Sequence, residues 1–169
     1  MILILDNLRS AYNVGALFRS ADGVGVTHVY LVGITPVPPK KGQLFLSAAE
    51  KALQKTALGA ESVIPWSSVK SLARLIARLK RDGYEIIALE EGSARASLDY
   101  RAWRPKRGYE PALIVGNEVT GLDEKALACA DTLLHLPMRG MKHSLNVSVA
   151  GSIAMYHLSA TMEMRVSRD

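Results

Sequence analysis

Leu136-Pro137-Met138-Arg139-Gly140-Met141-Lys142-His143-Ser144-Leu145-Asn146-Val147-Ser148-Val149-Ala150 reads as the end of a strand, a tight polar loop and the start of a helix. A strand that feeds a glycine-containing loop crowded with hydroxyl and amide groups is a common place to hold a small polar ligand. Working back from it, residues 132–136 complete a strand, 123–130 predict a helix and 112–115 another strand. Forward, the final helix runs from about Ser144 towards Met162.

The rest of the chain repeats this alternation. Ile2 to Leu5 is a short apolar strand, and Val14, Leu17, Phe18, Ala21 and Val24 then share one helical face. Residues 28–32 form a second strand. The Pro- and Lys-rich stretch 34–45 is a loop. Ser47-Ala48-Ala49-Glu50 spells a capping box that opens a helix through Leu53 and Ala57. Residues 62–65 predict a short strand. Val69, Leu72, Leu75, Ile76 and Leu79 mark a third helix, 84–89 a strand, and 93–109 a mostly irregular basic stretch. Strands alternating with helices imply an α/β fold: a mostly parallel sheet with helices on both faces. Ligands in such folds sit beyond the carboxyl ends of strands, here the loops after Leu5, Leu89, Val115 and Leu136.

A chain of 169 residues, 49% of them hydrophobic, is expected to form one domain, 1–169, with its own core. Cys129 is the sole cysteine, which excludes a disulfide framework and fits a reducing cytoplasm. His28, His135, His143 and His157 are scattered, so no metal site is expected. No apolar run reaches the roughly 20 residues that span a bilayer, and no membrane partner is expected. Lys and Arg number 21 against 16 acids, a net +5 that suits a polyanionic partner such as nucleic acid.

Several short patterns each allow two readings. Gly23-Val24-Gly25 lacks the third glycine of a dinucleotide turn and follows a helix instead of a strand, so it reads as helix termination. In Asn13-Val14-Gly15-Ala16-Leu17-Phe18-Arg19, Asn13 is a helix cap or a functional amide, and Arg19 a solvated or functional cation. In Val115-Gly116-Asn117-Glu118-Val119-Thr120-Gly121-Leu122, Gly116 would let a ligand lie against backbone while Glu118 projects into the same mouth. The alternative is a plain turn with a surface carboxylate. Ser144 is an N-cap, with Asn146 in the first helical turn, or a ligand contact. Ala150-Gly151-Ser152 and Ala154 leave one helical stretch smooth, for a partner chain or for a buried contact within this one.

Together the ordered segments resemble the three motifs of the SpoU (TrmH-like) branch of the SPOUT RNA 2′-O-methyltransferases. They are Asn13-x-Gly15-x-x-x-Arg19, Gly116-Asn117-Glu118-x-x-Gly121-Leu122, and Leu136-Pro137-Met138-x-Gly140-x-x-x-Ser144-Leu145-Asn146-Val147-Ser148. Ala57-Leu58-Gly59-Ala60-Glu61 and Pro65-Trp66 resemble a further, less diagnostic family stretch. The resemblance implies a C-terminal deep trefoil knot, S-adenosylmethionine as cofactor and a two-fold homodimer. It implies cofactor contacts at Leu89, Gly116, Asn117, Leu136, Met138, Ser144 and Leu145. It also implies a catalytic Arg19 surrounded by Asn13, Glu118, Ser144 and Asn146, with the arginine often serving the partner subunit's cofactor.

The implied reaction transfers a methyl group to a ribose 2′-hydroxyl of RNA, with tRNA ahead of rRNA as substrate. A non-catalytic RNA-binding protein of the same fold is the alternative, against which the intact motif residues speak. Many relatives carry a separate N-terminal substrate-binding domain, and this chain is expected to lack one. RNA recognition then falls to the dimer surface, to 36–41 and to 95–107, or to a helper protein. In and beside the last stretch, Arg101, Arg104, Lys106 and Arg107 mix with Tyr100, Trp103 and Tyr109 as charges and stacking rings do on RNA surfaces. A solvated loop is the competing reading.

Overall fold

The computed structural model describes residues 1–90 and 96–166. Its strands are β1 (Ile2–Asp6), β2 (His28–Val32), β3 (Trp66–Val69), β4 (Tyr84–Leu89), β5 (Leu98–Asp99), β6 (Glu110–Val115) and β7 (Thr132–His135). They form one seven-stranded sheet in the order β3-β2-β1-β6-β4-β7-β5, and every adjacent pair is parallel. The helices are α1 (Ala11–Gly23), α2 (Ala48–Ala57), α3 (Ala60–Val63), α4 (Leu72–Arg81), α5 (Glu124–Cys129) and α6 (Val147–Val166). None among the described residues is long and apolar enough to cross a membrane.

The two-residue period of the strands splits the core in two. Leu3, Leu5, Ile87, Leu89, Leu113 and Val115 pack with Leu17 and Phe18 of α1, Leu53 of α2 and Leu158 of α6. Their neighbours Ile2, Ile4, Ile86, Ala88, Ala112 and Ile114 pack with Leu75, Ile76 and Leu79 of α4 and Ala126 of α5. Burial on both faces explains why these strands are unbroken apolar runs. The register is level at the carboxyl edge: Val115 pairs with both Leu5 and Leu89, and Leu89 with Leu134. The loops after β1, β4, β6 and β7 therefore leave the sheet side by side. Thr35 Oγ1 braces this edge, accepting from Leu8 N–H (3.1 Å) and lying 2.9 Å from the Leu5 carbonyl oxygen.

Three expectations shift. Residues 60–63 are a helical turn, not part of a strand over 62–65. Leu58 and Gly59 both take positive φ (52° and 97°), which lets the chain restart a helix, and Glu61 Oε2 accepts from Gly59 N–H at 3.0 Å. The strand lies just beyond, where Trp66 pairs with Val29. Val69 ends that strand instead of opening a helix, and Ser71 caps α4 by accepting from Arg74 N–H. The last helix begins at Val147, three residues later than expected. Asn146, not Ser144, fills the capping role, its Oδ1 accepting from Ser148 N–H at 2.8 Å.

The smooth stretch of α6 is a contact within the chain. A Cβ on Gly151 would come within 2.7 Å of Leu17 Cδ2, Ala154 is fully buried, and Ser152 Oγ donates to Ser20 Oγ at 2.7 Å.

A candidate active site at the carboxyl edge of the sheet

A cavity of about 430 Å³ opens beyond the carboxyl ends of β4, β6 and β7, within the range of small-molecule sites. All seven positions expected at a cofactor line it: Leu89 from β4, Gly116 and Asn117 after β6, and Leu136, Met138, Ser144 and Leu145 after β7. Glu90, Thr120 and His143 line it as well and were not singled out in the sequence. Glu90 directly follows a strand end already marked as a ligand position, and that placement was the available signal.

The glycines of the second motif shape the loop itself. An ideal Cβ on Gly116 would lie 2.6 Å from the Gly121 carbonyl carbon and 2.7 Å from Leu122 N. The space expected for a ligand against Gly116 is thus taken by the loop's own backbone. Gly121 has φ of 66°, and a Cβ there would meet the Glu90 carboxylate, which accepts from Leu122 N–H at 2.7 Å. Asn117 closes the turn from within: Oδ1 accepts from Val119 N–H (2.9 Å) and Thr120 N–H (3.2 Å), and Nδ2 donates to the Asn7 carbonyl (2.7 Å).

The three motifs, the first more than a hundred residues from the other two, meet in one hydrogen-bonded chain. Glu118 accepts from the backbone N–H of Arg9 (2.9 Å) and Ser10 (3.0 Å) and from Asn13 Nδ2 (3.0 Å). Asn146 Nδ2 then donates to Asn13 Oδ1 at 3.1 Å. Glu118 thus sits against free N–H groups just ahead of α1, where a carboxylate is favoured. Burial raises its pKa, but the Arg9, Asn13 and Ser10 donors outweigh that and hold the carboxyl below its ordinary value. An adjoining hollow, lined by Arg9, Ser10, Asn13 and Asn146, shares Glu118 and Leu145 with the main cavity.

Glu118→Gln is expected to destabilise the fold by roughly 1–2 kcal/mol at neutral pH, because charge-assisted hydrogen bonds are lost and an amide nitrogen must face N–H donors. A depressed folded-state pKa makes this contribution full above the ordinary Glu value and lost as pH falls through the lower folded value. The gap between wild type and variant in urea unfolding should therefore close on acidification from about pH 4.5 downwards. A gap that persists unchanged at pH 3 would refute the assignment.

Arg19 lies apart. It is exposed on α1, outside the cavity and its adjoining hollow, and shares a surface groove with Ala16, Ser20, Lys55, Thr56 and Tyr156. Among the described residues no carboxylate forms an ion pair with it.

The basic stretch 95–107 is more committed to the fold than its composition suggests. Ser93 and Arg95 lie outside the described residues. Trp103, expected as a stacking ring, is 2% exposed and belongs to the core. Tyr100 packs edge-on against His157, with ring centroids 5.1 Å apart. Arg101 Nε donates to Asp99 Oδ1 at 2.9 Å, which holds the Asp99 carboxyl well below the carboxylate range. Lys106 pairs with the buried Glu85 at 3.0 Å. Arg104 donates to the carbonyls of Arg101 and Trp103.

Residues 1–156 match the SpoU rRNA Methylase family. The chain belongs to this family. Its SpoU relatives include the Xylella fastidiosa 23S rRNA (guanosine-2'-O-)-methyltransferase RlmB, 34% identical over 92% of this chain and 57% of that protein. The crystal structure of the A. aeolicus TrmH/SpoU tRNA modifying enzyme superposes with a TM-score of 0.78 at 27% identity, covering 97% of this chain and 76% of that one. An AdoMet-bound rRNA methyltransferase from Sinorhizobium meliloti has the same fold, with a TM-score of 0.79 at 24% identity over 94% of this chain and 55% of that one. This SpoU chain spans about 57% of the length of the curated relatives it matches.

Proposed function

We propose that this chain transfers the methyl group of S-adenosylmethionine to a ribose 2′-hydroxyl of RNA. What carries the reading is the closure of three remote motifs into the Glu118–Asn13–Asn146 hydrogen-bonded chain beside one cavity. Membership in the SpoU family, a relative named as a 23S rRNA (guanosine-2'-O-)-methyltransferase and another named as a tRNA modifying enzyme support it. The reading also takes from the family a C-terminal trefoil knot, formed by the segments that bound the cavity.

The lining fits the cofactor. Leu89, Leu136 and Leu145 supply apolar walls for a purine, and the loops that bring Gly116 and Met138 to the cavity supply backbone polar groups for its hydroxyl and ring atoms. When bound, S-adenosylmethionine supplies an already activated sulfonium methyl. The protein's task is then mainly to align the ribose oxygen.

Asn13 and Asn146 spend most of their amide groups on Glu118, Ser148 and each other. Each keeps one amide hydrogen for substrate. With the Ser144 hydroxyl, these would orient the ribose. Arg19 would grip the adjacent phosphate and stabilise negative charge developing on the 2′-oxygen. A guanidinium stays protonated, so Arg19 is not the base; the proton would pass to phosphate or water.

Because Arg19 lies outside its own chain's cavity, the reading requires a homodimer in which one copy's arginine serves the other's site. Exposed Val149, Tyr156 and Met164 on one face of α6, with Tyr156 also lining the Arg19 groove, suit that interface.

The relatives divide between the two RNA classes, so the assay uses both. Methyl-labelled S-adenosylmethionine with bulk tRNA or rRNA, followed by digestion to nucleosides, should place label in a 2′-O-methyl nucleoside. Label in neither RNA, together with no cofactor binding by calorimetry, would overturn the reading.

A further inference from the structure

We propose that the loop joining β2 to α2 is a stacking platform for an unpaired RNA base, with Phe45 as the ring and Lys40 and Lys41 on the flanking phosphates. This rests on the RNA reading above.

The chain has two phenylalanines: Phe18 is fully buried, whereas Phe45 is 88% exposed beside an equally exposed Leu44. The loop that presents this ring is held in place. Lys40 to Gln43 form a turn, with Gln43 N–H donating to the Lys40 carbonyl at 3.0 Å and Gly42 at φ 82°. The Gln43 side chain locks it: Oε1 accepts from Lys40 N–H (3.1 Å), and Nε2 donates to the Phe45 carbonyl (2.9 Å) and to Glu50 Oε1 (2.9 Å). Glu50 is meanwhile fastened by the Ser47 capping box at the start of α2. A ring on a fixed backbone loses little entropy when it binds.

The surroundings choose the partner. Lys40 and Lys41 are exposed, and among the described residues no carboxylate pairs with either. A bare aromatic ring that follows two unpaired cations by four and five residues in the same loop suits the flat face and phosphates of a single-stranded nucleotide better than an apolar protein surface. The loop leaves β2 at the edge that carries the cavity, since Val32 pairs with Asp6 at the end of β1.

The test compares Phe45→Leu, Phe45→Trp and the double variant Lys40→Ala/Lys41→Ala. Phe45→Leu keeps an apolar side chain but no ring, and should raise the Kd for bulk tRNA and rRNA roughly 10-fold. Phe45→Trp should bind like wild type, and its emission, above that of Trp66 and Trp103, should be quenched by a 12-nucleotide oligoadenylate. The double variant should lower the slope of log affinity against log salt by about 1.4, two single-strand phosphates.

Wild-type RNA affinity in Phe45→Leu would overturn the proposal while leaving methyl transfer by the wild type to uphold the broader reading. A lower mass for Phe45→Leu by light scattering would overturn it too, assigning the ring to a second copy of the chain. A wild type that binds neither RNA nor S-adenosylmethionine would remove both.

Discussion

Replacing Arg19 with alanine is expected to cut methyl transfer by at least roughly 10²–10³-fold, the scale of losing one donor to developing negative charge, while S-adenosylmethionine binds as before. The separation follows from position. Arg19 is exposed on α1 and lines a different surface from the cavity, so truncating it removes nothing from its own chain's proposed cofactor site. Arg19→Lys should rescue little, because an ammonium lacks the planar fork that holds a phosphate through two bonds. Calorimetry with the cofactor and single-turnover transfer to RNA measure the two halves. Mixing Arg19→Ala subunits with Asn146→Ala subunits adds a second test: if the arginine serves the partner's site, the mixture recovers activity that neither variant has alone. Full transfer by Arg19→Ala would sink the assignment. Failure of the mixture to recover would refute the service of one subunit's site by its partner's arginine.

Gly15→Ala should destabilise the protein by about 3 kcal/mol, even though alanine normally favours a helix interior by roughly 1 kcal/mol. The packing of α1 on α2 decides between these effects. A Cβ on Gly15 would fall well inside contact distance of the Leu53 carbonyl oxygen and Thr56 Oγ1, and 3.0 Å from Ala57 N. Thr56 Oγ1 also donates to the Tyr12 carbonyl at 2.9 Å, so it has little freedom to withdraw. Two of the three obstacles are backbone, and relief requires the helices to part. Thermal unfolding should show a fall in Tm of roughly 6–12 °C for a chain of this size. The Arg19 groove draws Lys55 and Thr56 from α2, so RNA binding should weaken as well. An unchanged Tm would show that α1 and α2 do not pack this closely.

The layout of the fold was legible because each element carries its own local signal. The runs Ile2 to Leu5 and Tyr84–Leu89, the helical spacing of Val14, Leu17, Phe18 and Ala21, and the Ser47/Glu50 capping box all read correctly. The misreadings at 62–65, at Val69 and at the start of α6 are boundary errors, where strand pairing or a cap two residues further on decides the outcome. Which loops surround the cavity was also legible, since the ends of β4, β6 and β7 lie at one level in a parallel sheet, whereas the individual lining positions followed from the family resemblance.

The duties of individual side chains were not. The sequence shows Gly116 as a glycine after a strand, but only the returning loop reveals that the backbone of Gly121 and Leu122 occupies its missing Cβ. Trp103 sits among arginines in the chain yet inside the core in space, and Phe45 lies in an ordinary loop yet stands bare. Local sequence determines which backbone hydrogen bonds and apolar faces form. Whether a side chain is covered, or a polar group already spent, depends on segments a hundred residues away, and that only the tertiary structure decided.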